Sequence, residues 1–229
     1  RSSNGAATSR TPARVRAAFE GRENALVNFV AAALAGRCRA VGFPVDFAMV
    51  DGSIVTDGLP PAGVLTFGAL RRLAPYADSL VLYRLAPGAL LALLEDNVRR
   101  IAPPGASAAE RGFLHFSGEV RYAIDAPASR PLDITVNGVD LHELIASGSR
   151  PFLVAASSFV REFCHNWERA ETAAGRRPAF DLRSLPVEQT GLALRDELVN
   201  YVLQWGGVTA GGGLSCDGRL AYRAAGAAR

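Results

Sequence analysis

Two stretches of the sequence hold side chains that could do acid–base chemistry. Asp51-Gly52-Ser53 places a carboxylate and a hydroxyl on either side of a glycine, and Ser157 to Trp167 mixes aromatic with polar side chains. An imidazole titrates near neutral pH, so His165 in the second stretch could act as a general acid or base. A carboxylate in the same pocket could orient that imidazole. The candidate catalytic residues are therefore His165 and Asp51. Asp78, which lies outside the two stretches, is the third candidate because its carboxylate could orient the same imidazole.

Each of these side chains also has a structural interpretation, which stays open at this point. A lone histidine is more often a surface or hydrogen-bonded structural residue, and an Asp that follows a strand often caps a turn or a helix. Cys164 precedes His165 in the chain, but neighbouring side chains usually point apart. The sequence therefore does not favour a Cys–His nucleophile, which needs contact in space.

Both stretches directly follow runs of residues that are typical of buried strands. Val45 to Val50 leads into Asp51, and Pro151 to Ala156 leads into Ser157. Loops that follow the strands of an α/β sheet commonly carry ligand-binding groups. We therefore expect the two stretches to lie at the sheet edge where a ligand would bind.

The rest of the chain alternates between helical and strand patterns. The apolar positions predict helices over Val15–Arg37, over Phe67–Leu73 with Thr66 as N-cap, from Pro87 onward until Pro103-Pro104-Gly105, and from Leu192 to Trp205 after Thr190. Further strands are predicted at Ser79–Leu85, Phe113–Phe116, Glu119–Ile124 and Leu132–Val136, with a hairpin turn at Asn137-Gly138 and an edge strand at Arg219–Arg223. This order predicts an α/β (α+β) fold with a mixed sheet flanked by helices. Residues 1–12 are interpreted as a flexible leader and residues 13–229 as a single domain.

Composition narrows the possible partners. The 229 residues carry a net charge of only +3, from 25 basic and 22 acidic side chains, which is too balanced to form the basic stripe that nucleic-acid polymers require. No apolar run reaches the roughly 18 residues of a membrane span. The three cysteines are far apart and odd in number, so they form neither a disulfide framework nor a C-x-x-C metal pair. A small molecule is the remaining kind of partner.

Five short strings occur in the order in which one protein family carries them. They are Glu23–Val30, Ala48–Val55, Leu65–Leu70, Ala74–Asp78 and Ser158–Trp167. Together they resemble the C-terminal domain of the 5'-nucleotidase family, the domain that recognises the nucleotide in those two-domain phosphoesterases. The resemblance covers residues 15–223 and implies a fold of the 5'-nucleotidase C-terminal-domain type.

The resemblance implies a set of ligand-binding residues. Tyr76 and Phe159 stand where the family carries two aromatic rings that stack on the base, and Asp78 stands where it carries a base-contacting Asn. The further implied ligand-binding positions are Gly52, Trp167 and Asn28. A planar aromatic ligand suits such a slot, because stacking contributes roughly 1–3 kcal/mol per base. Either ring could instead be an ordinary core residue.

Three departures from the family's pattern change the expected ligand. Asp51 replaces an Asn, Val55 replaces the Arg that contacts the charged end of the ligand, and residues 163–166 replace a Gly-Gly-Asp-Gly string. Losing an Arg removes an anchor for phosphate, and added carboxylates favour hydroxyls, amines or a cation. The expected ligand is therefore less anionic than a nucleotide.

The residues that bind metal in the family have no counterpart here. Hydrolysis in that family belongs to an N-terminal metallophosphoesterase domain that binds two metals through D-x-H and N-H-E strings. This sequence has no N-H-E string, and its one D-x-H string, Asp140-Leu141-His142, stands without it, so we expect neither a metal nor a cofactor. Three functions remain open. The chain could bind a nucleoside-like ligand as a fragment or beside a metallophosphoesterase subunit, it could be a repurposed enzyme that uses Asp51, Asp78 and His165 on another aromatic substrate, or it could be a noncatalytic partner subunit.

Overall fold

The computed structural model describes residues 22–59, 63–101, 113–161, 169, 171–209 and 211–223. Its helices are α1 (Ala25–Ala40), α2 (Phe67–Leu73), α3 (Pro87–Arg99), α4 (Leu141–Ala146) and α5 (Leu194–Gln204), with 3₁₀ turns at Gly52–Ile54 and Leu182–Ser184. Its strands are β1 (Phe47–Asp51), β2 (Ser79–Leu85), β3 (Leu114–Phe116), β4 (Val120–Asp125), β5 (Arg130–Val136), β6 (Val139–Asp140), β7 (Phe152–Ser157), β8 (Val187–Ala193) and β9 (Leu220–Arg223).

The strands form two mixed sheets. The larger sheet has the order β3-β1-β7-β2-β8, in which β1 and β7 run parallel and the other neighbours are antiparallel. The smaller sheet has the order β6-β5-β4-β9, in which only β4 and β9 are parallel. The predicted α/β fold with helices around a mixed sheet is confirmed, with the strands divided between two sheets.

Side chains alternate between two hydrophobic cores along the strands of the larger sheet. Phe47 and Met49 of β1 point into a first core, which lies between the two sheets and includes α3. Ala48 and Val50 point into a second core, where α1, α2 and α5 cover the opposite face. This is the period of two that a strand buried on both faces produces.

Elements with strong local signals form where the sequence predicts them. Thr66 caps α2 by accepting a hydrogen bond from the Ala69 N–H at 3.2 Å, and β2 has the predicted bounds. Asn137 and Gly138 join β5 to β6 with φ angles of 52° and 80°, as a two-residue hairpin turn requires. The predicted edge strand is also confirmed, because β9 lies at the edge of the smaller sheet.

Two helix predictions are wrong in their bounds. The helix predicted over Val15–Arg37 has different bounds in the described part of the chain, because residues 22–24 are not helical and Asn24 caps a helix that begins at Ala25 and ends at Ala40. The Asn24 side chain accepts hydrogen bonds from the N–H groups of Leu26 and Val27. The closing helix begins at Leu194 rather than Leu192, because the residues up to Ala193 pair with β2 as strand β8.

Some predicted features lie outside the described residues. These are the leader at residues 1–12 and the helix-stopping segment at residues 103–105. Within the described ranges, no helix combines the length and the apolar character that crossing a membrane requires.

Candidate ligand-binding site

The end of β7 and the start of β2 meet at one edge of the larger sheet. Leu80 pairs with Ser157, and the Ser158 N–H donates to the Ser79 carbonyl at 2.8 Å. The Ser79 N–H in turn donates to the Ser158 hydroxyl at 3.3 Å. The residues before β2 and after β7 are therefore held side by side.

This edge brings the two predicted stacking rings together. The Tyr76 and Phe159 rings have centroids 6.1 Å apart and planes inclined by only 15°. Both rings are partly open to solvent, with exposed fractions of 42% and 39%. They therefore form a surface ring pair rather than a closed part of either core.

The ring pair is slightly too narrow for a ligand in this conformation. An aromatic ring held between two others needs about 7 Å between the outer planes, because each stacking contact spans about 3.5 Å. The centroids are 6.1 Å apart, which is the upper limit for the distance between the ring planes, so the Tyr76 and Phe159 rings must separate by at least about 1 Å to admit a base. Exposed side chains on loops can make such a movement within nanoseconds.

Asp78 lies beside the ring pair. It is the residue before Ser79, which meets Ser158 across the strands, so its backbone lies opposite Phe159. Its carboxylate accepts a hydrogen bond from the Ser157 hydroxyl. Partial burial raises the pKa of the Asp78 carboxyl, and the Ser157 hydrogen bond opposes that rise.

Asp51 is a buried carboxylate with one unsatisfied oxygen. It ends β1, is 3% exposed, and accepts the Ser53 N–H at 2.7 Å through Oδ1. Its Oδ2 atom has no hydrogen-bond partner within the described ranges. Burial raises the pKa of Asp51 to about 6, although the hydrogen bonds from Ser53 and the charge of Arg100 oppose the rise.

The strand register assigns Asp51 and Asp78 to different faces of the larger sheet. Asp51 pairs with Leu114, whose side chain belongs to the first core. Asp78 instead contacts Ser157, which pairs with Leu80 of the second core. Residues paired directly across two strands point to the same face of the sheet, and neighbours along one strand point to opposite faces. The Asp51 carboxylate therefore lies on the face of the first core, and the Asp78 carboxylate lies on the face of the second.

Two further candidates are committed to contacts within the protein. The Gly52 N–H donates to the Phe113 carbonyl at 3.0 Å, which ties the turn after β1 to the start of β3. Asn28 is 1% exposed, and its Nδ2 donates to Glu23 at 2.9 Å and to the Ser215 carbonyl at 2.8 Å. One amide hydrogen of Asn28 thus holds Glu23 and the other anchors the C-terminal segment to α1. Among the described residues, no contact joins Gly52 or Asn28 to the ring pair.

The remaining predicted positions separate into one core residue and two that are not described. Val55 is fully buried in the second core, so no side chain from the position of the family's Arg faces a ligand. His165 and Trp167 lie outside the described residues. In the described part of the chain, no three His, Cys, Asp or Glu side chains are grouped so that they could hold a metal ion.

Sequence reasoning missed the serines that join the two loops. Ser157 supports the Asp78 carboxylate, and Ser158 exchanges hydrogen bonds with Ser79. The available signal was the pair of serines directly after a buried strand, where hydroxyls can replace the ladder hydrogen bonds that end there.

A concavity of about 550 Å³ lies elsewhere, between the segment around Leu65 and the end of α5. Its lining consists of glycines and aliphatic side chains, among them the exposed Val64 and Leu203. Ligand sites normally combine an apolar wall with a few convergent polar side chains. This groove has no polar side chain in its lining, so the ring pair with Asp78 is the better candidate site.

The buried Asp51 carboxylate leads to a prediction about pH. Its folded-state pKa of about 6 lies above its ordinary value of 3.8, so between these pH values the folded state binds more protons than the unfolded state. Stability therefore falls as pH rises through this window, by about 3 kcal/mol once Asp51 is ionised. Relative to the wild type, Asp51→Asn should gain about that much unfolding free energy between pH 4 and pH 8, measured by urea unfolding.

Asp46→Asn is the matched control for this experiment. Burial works to raise the pKa of Asp46, but hydrogen bonds from Arg150 and from the Leu153 N–H outweigh it and hold the pKa below its usual range. Asp46 therefore stabilises the fold above about pH 4, and this contribution is lost on acidification. Relative to the wild type, its Asn variant should lose unfolding free energy as the pH rises from about 2 to about 5, and should change little from there to about pH 8. The same sign for both variants would contradict the account of Asp51.

Solved structures with the same fold are 5'-nucleotidases and related hydrolases. The 5'-nucleotidase precursor from Thermus thermophilus matches with a TM-score of 0.65 and 21% identity, over 90% of this chain and 36% of that one. The NAD nucleotidase of Haemophilus influenzae matches with a TM-score of 0.61 and 16% identity, over 87% and 33% of the two chains. A sulfate thiohydrolase from Thermus thermophilus matches with a TM-score of 0.55 and 17% identity, over 83% and 31%. The chain spans about a third of the length of these proteins.

The sequence itself assigns the family. The sequence model described as 5'-nucleotidase, C-terminal domain, matches residues 5–166, which is more than half of the chain. No curated protein sequence matches the chain. The chain belongs to the 5'-nucleotidase C-terminal domain family.

Proposed function

We propose that this chain binds a small molecule with a planar aromatic ring, such as a nucleoside, by stacking it between Tyr76 and Phe159. The observation that carries the proposal is the near-parallel, solvent-exposed ring pair formed by two loops from different parts of the chain. A stacked base would cover the exposed faces of both rings, and stacking needs no fixed hydrogen-bond pattern. Membership of the 5'-nucleotidase C-terminal domain family supports the same kind of ligand.

In this proposal the domain recognises its ligand and leaves hydrolysis to a separate catalytic unit. The resemblance places the two-metal centre of these hydrolases in an N-terminal metallophosphoesterase domain. The N-H-E string of that domain does not occur in this sequence, and the single D-x-H string, Asp140-Leu141-His142, lies at the start of α4, where Asp140 caps the helix. The proposed partner is thus a metallophosphoesterase domain or subunit. Binding of ligand without turnover is the behaviour expected of the chain alone.

The proposed ring pair supports binding better than acid–base catalysis. A catalytic acid and base must reach the same reacting atoms, and Asp51 and Asp78 lie on opposite faces of the larger sheet. The repurposed-enzyme hypothesis then depends on His165 alone. Nothing in the described residues specifically favours the hypothesis of a noncatalytic partner subunit.

Calorimetry with adenosine, uridine and AMP tests the proposal. The wild type should bind adenosine more tightly than uridine, because a purine offers a larger face for stacking. Replacing one ring, in Phe159→Leu or Tyr76→Leu, should weaken adenosine binding by about tenfold or more, since a stacked base gains roughly 1–3 kcal/mol.

Tyr222→Leu is the control variant, because Tyr222 is also a partly exposed aromatic residue but belongs to β9 of the smaller sheet. Its affinity for adenosine should equal that of the wild type. The proposal fails if no nucleoside binds, or if the Phe159 and Tyr76 variants bind as well as the Tyr222 variant.

A further inference from the structure

The charge beside the ring pair comes from Asp78, and the structure fixes where that charge lies. Two noncovalent contacts join the same two chain segments: Tyr76 faces Phe159, and Asp78 contacts Ser157. One residue separates Tyr76 from Asp78 in the first segment, and one residue separates Ser157 from Phe159 in the second. Asp78 precedes Ser79, which exchanges hydrogen bonds with Ser158, the residue before Phe159, so the Asp78 backbone lies beside Phe159.

The rings themselves favour positive charge. The face of an aromatic ring carries partial negative charge, so it attracts a cation held against it. A ligand between Tyr76 and Phe159 meets two such faces. The Asp78 carboxylate adds a full negative charge at the edge of the same site.

The basic groups nearest along the chain do not offset this charge. Arg161 follows Phe159 by two residues, but its Nη2 donates to the Arg183 carbonyl at 2.9 Å, so it is directed toward the 3₁₀ turn at Leu182–Ser184. Arg72, near the end of α2, forms an ion pair with Asp57 at 3.5 Å. Val55 is apolar and fully buried. An anionic ligand would therefore meet a carboxylate beside the rings and no described basic partner at these positions.

We propose that the site formed by Tyr76, Phe159 and Asp78 selects planar heterocycles that carry a positive charge over neutral rings, and neutral rings over anionic ones. This inference rests on the proposed function, because it concerns the ligand held by the same ring pair. It distinguishes the site from one built to hold a nucleotide by its phosphate, for which bidentate Arg contacts would be needed.

Three small rings of nearly the same shape test the inference. 1-Methylnicotinamide is a permanent cation, nicotinamide is neutral, and nicotinate is an anion. The wild type should bind 1-methylnicotinamide about tenfold more tightly than nicotinamide, and nicotinate most weakly. In Asp78→Asn, the ratio of the first two affinities should fall to about threefold or less, because only the cation–π contribution remains.

Salt dependence gives a second readout that needs no variant. Raising the NaCl concentration should weaken the binding of 1-methylnicotinamide to the wild type and leave that of nicotinamide nearly constant, because only the charged ligand interacts with a screened carboxylate. Equal affinities for the cation and the neutral ring, or salt-independent binding of the cation, would overturn the inference even if Asp78→Asn did not fold.

The two proposals fail in different ways. If adenosine binds in a manner that depends on Phe159, but the three nicotinic compounds show no preference for the cation, the charge selectivity is wrong and the proposed function stands. If neither adenosine nor any of the three compounds binds, the proposed function fails and this inference fails with it.

Discussion

Replacing Asn97 by alanine should lower the free energy of unfolding by about 3–5 kcal/mol. Asn97 is fully buried in α3, and its side-chain amide bonds both backbone groups of Leu114. Its Nδ2 donates to the Leu114 carbonyl at 2.8 Å, its Oδ1 accepts the Leu114 N–H at 2.7 Å, and Nδ2 also donates to the Tyr122 hydroxyl at 3.1 Å. Alanine leaves these groups buried without partners, at a cost of about 1–3 kcal/mol each.

The loss of unfolding free energy should be large because the Asn97 side chain makes the two backbone hydrogen bonds to Leu114 that a neighbouring strand would otherwise make. β3 is an edge strand of the larger sheet, and on the side away from β1 the Leu114 backbone is paired by this one side chain. Urea unfolding of Asn97→Ala measures the effect, and Glu95→Ala is the matched control because Glu95 is an exposed residue of the same helix. A change under about 1 kcal/mol in Asn97→Ala would contradict the assigned role.

The second large effect is expected for Asp96→Ala, which should cost about 3–5 kcal/mol. Asp96 is also fully buried, and its two carboxylate oxygens accept the N–H groups of Ala179 and Phe180, each at 2.9 Å. Arg99 forms an ion pair with the same carboxylate. Asp96 thus fixes the connection that leads toward β8, which has little regular structure of its own.

Limited proteolysis distinguishes this role from a general loss of stability. Asp96→Ala should be cut first within residues 171–185, because the anchor of that connection is gone while the sheets remain. Asp96→Asn keeps one acceptor oxygen and should show a smaller loss of unfolding free energy. Cleavage spread evenly over the chain would count against a local anchor.

Much of the fold could be predicted because its signals are local. The Thr66 cap, the first-turn Pro87 and the Asn137-Gly138 turn each act within a few residues, and the structure confirms the elements that they begin or end. The strand β8 could not be predicted in this way. Leu192 continues the helical spacing of α5, but the Thr190 hydroxyl donates to the Leu80 carbonyl at 2.6 Å, so contact with β2 decides its conformation.

The site was predictable in part, for a similar reason. Tyr76 and Phe159 were identified through the family resemblance, and the structure stacks them across two loops. The position of Asp51 relative to these rings could not be predicted in the same way. The sequence places Asp51 at the end of β1, but the face to which its side chain points depends on the register with β3 and β7, which only the assembled sheet defines.

The burial of the polar pair Asp96 and Asn97 in α3 could not be predicted from the local sequence either. Asp96 and Asn97 stand next to each other among the leucines of an amphipathic helix, where two adjacent polar residues usually mark the solvent face. Both are fully buried because their partners come from distant segments, at Ala179 and Leu114. An interrupted apolar pattern was the only local sign of this role.

The most direct test of the central claim is a crystal structure of the protein with adenosine. We expect the base to lie between Tyr76 and Phe159, with the two ring planes about 7 Å apart and the centroids therefore farther apart than the present 6.1 Å. The Asp78 carboxylate should then lie at the edge of the base. Adenosine bound elsewhere, with the two rings still in contact with each other, would contradict the account.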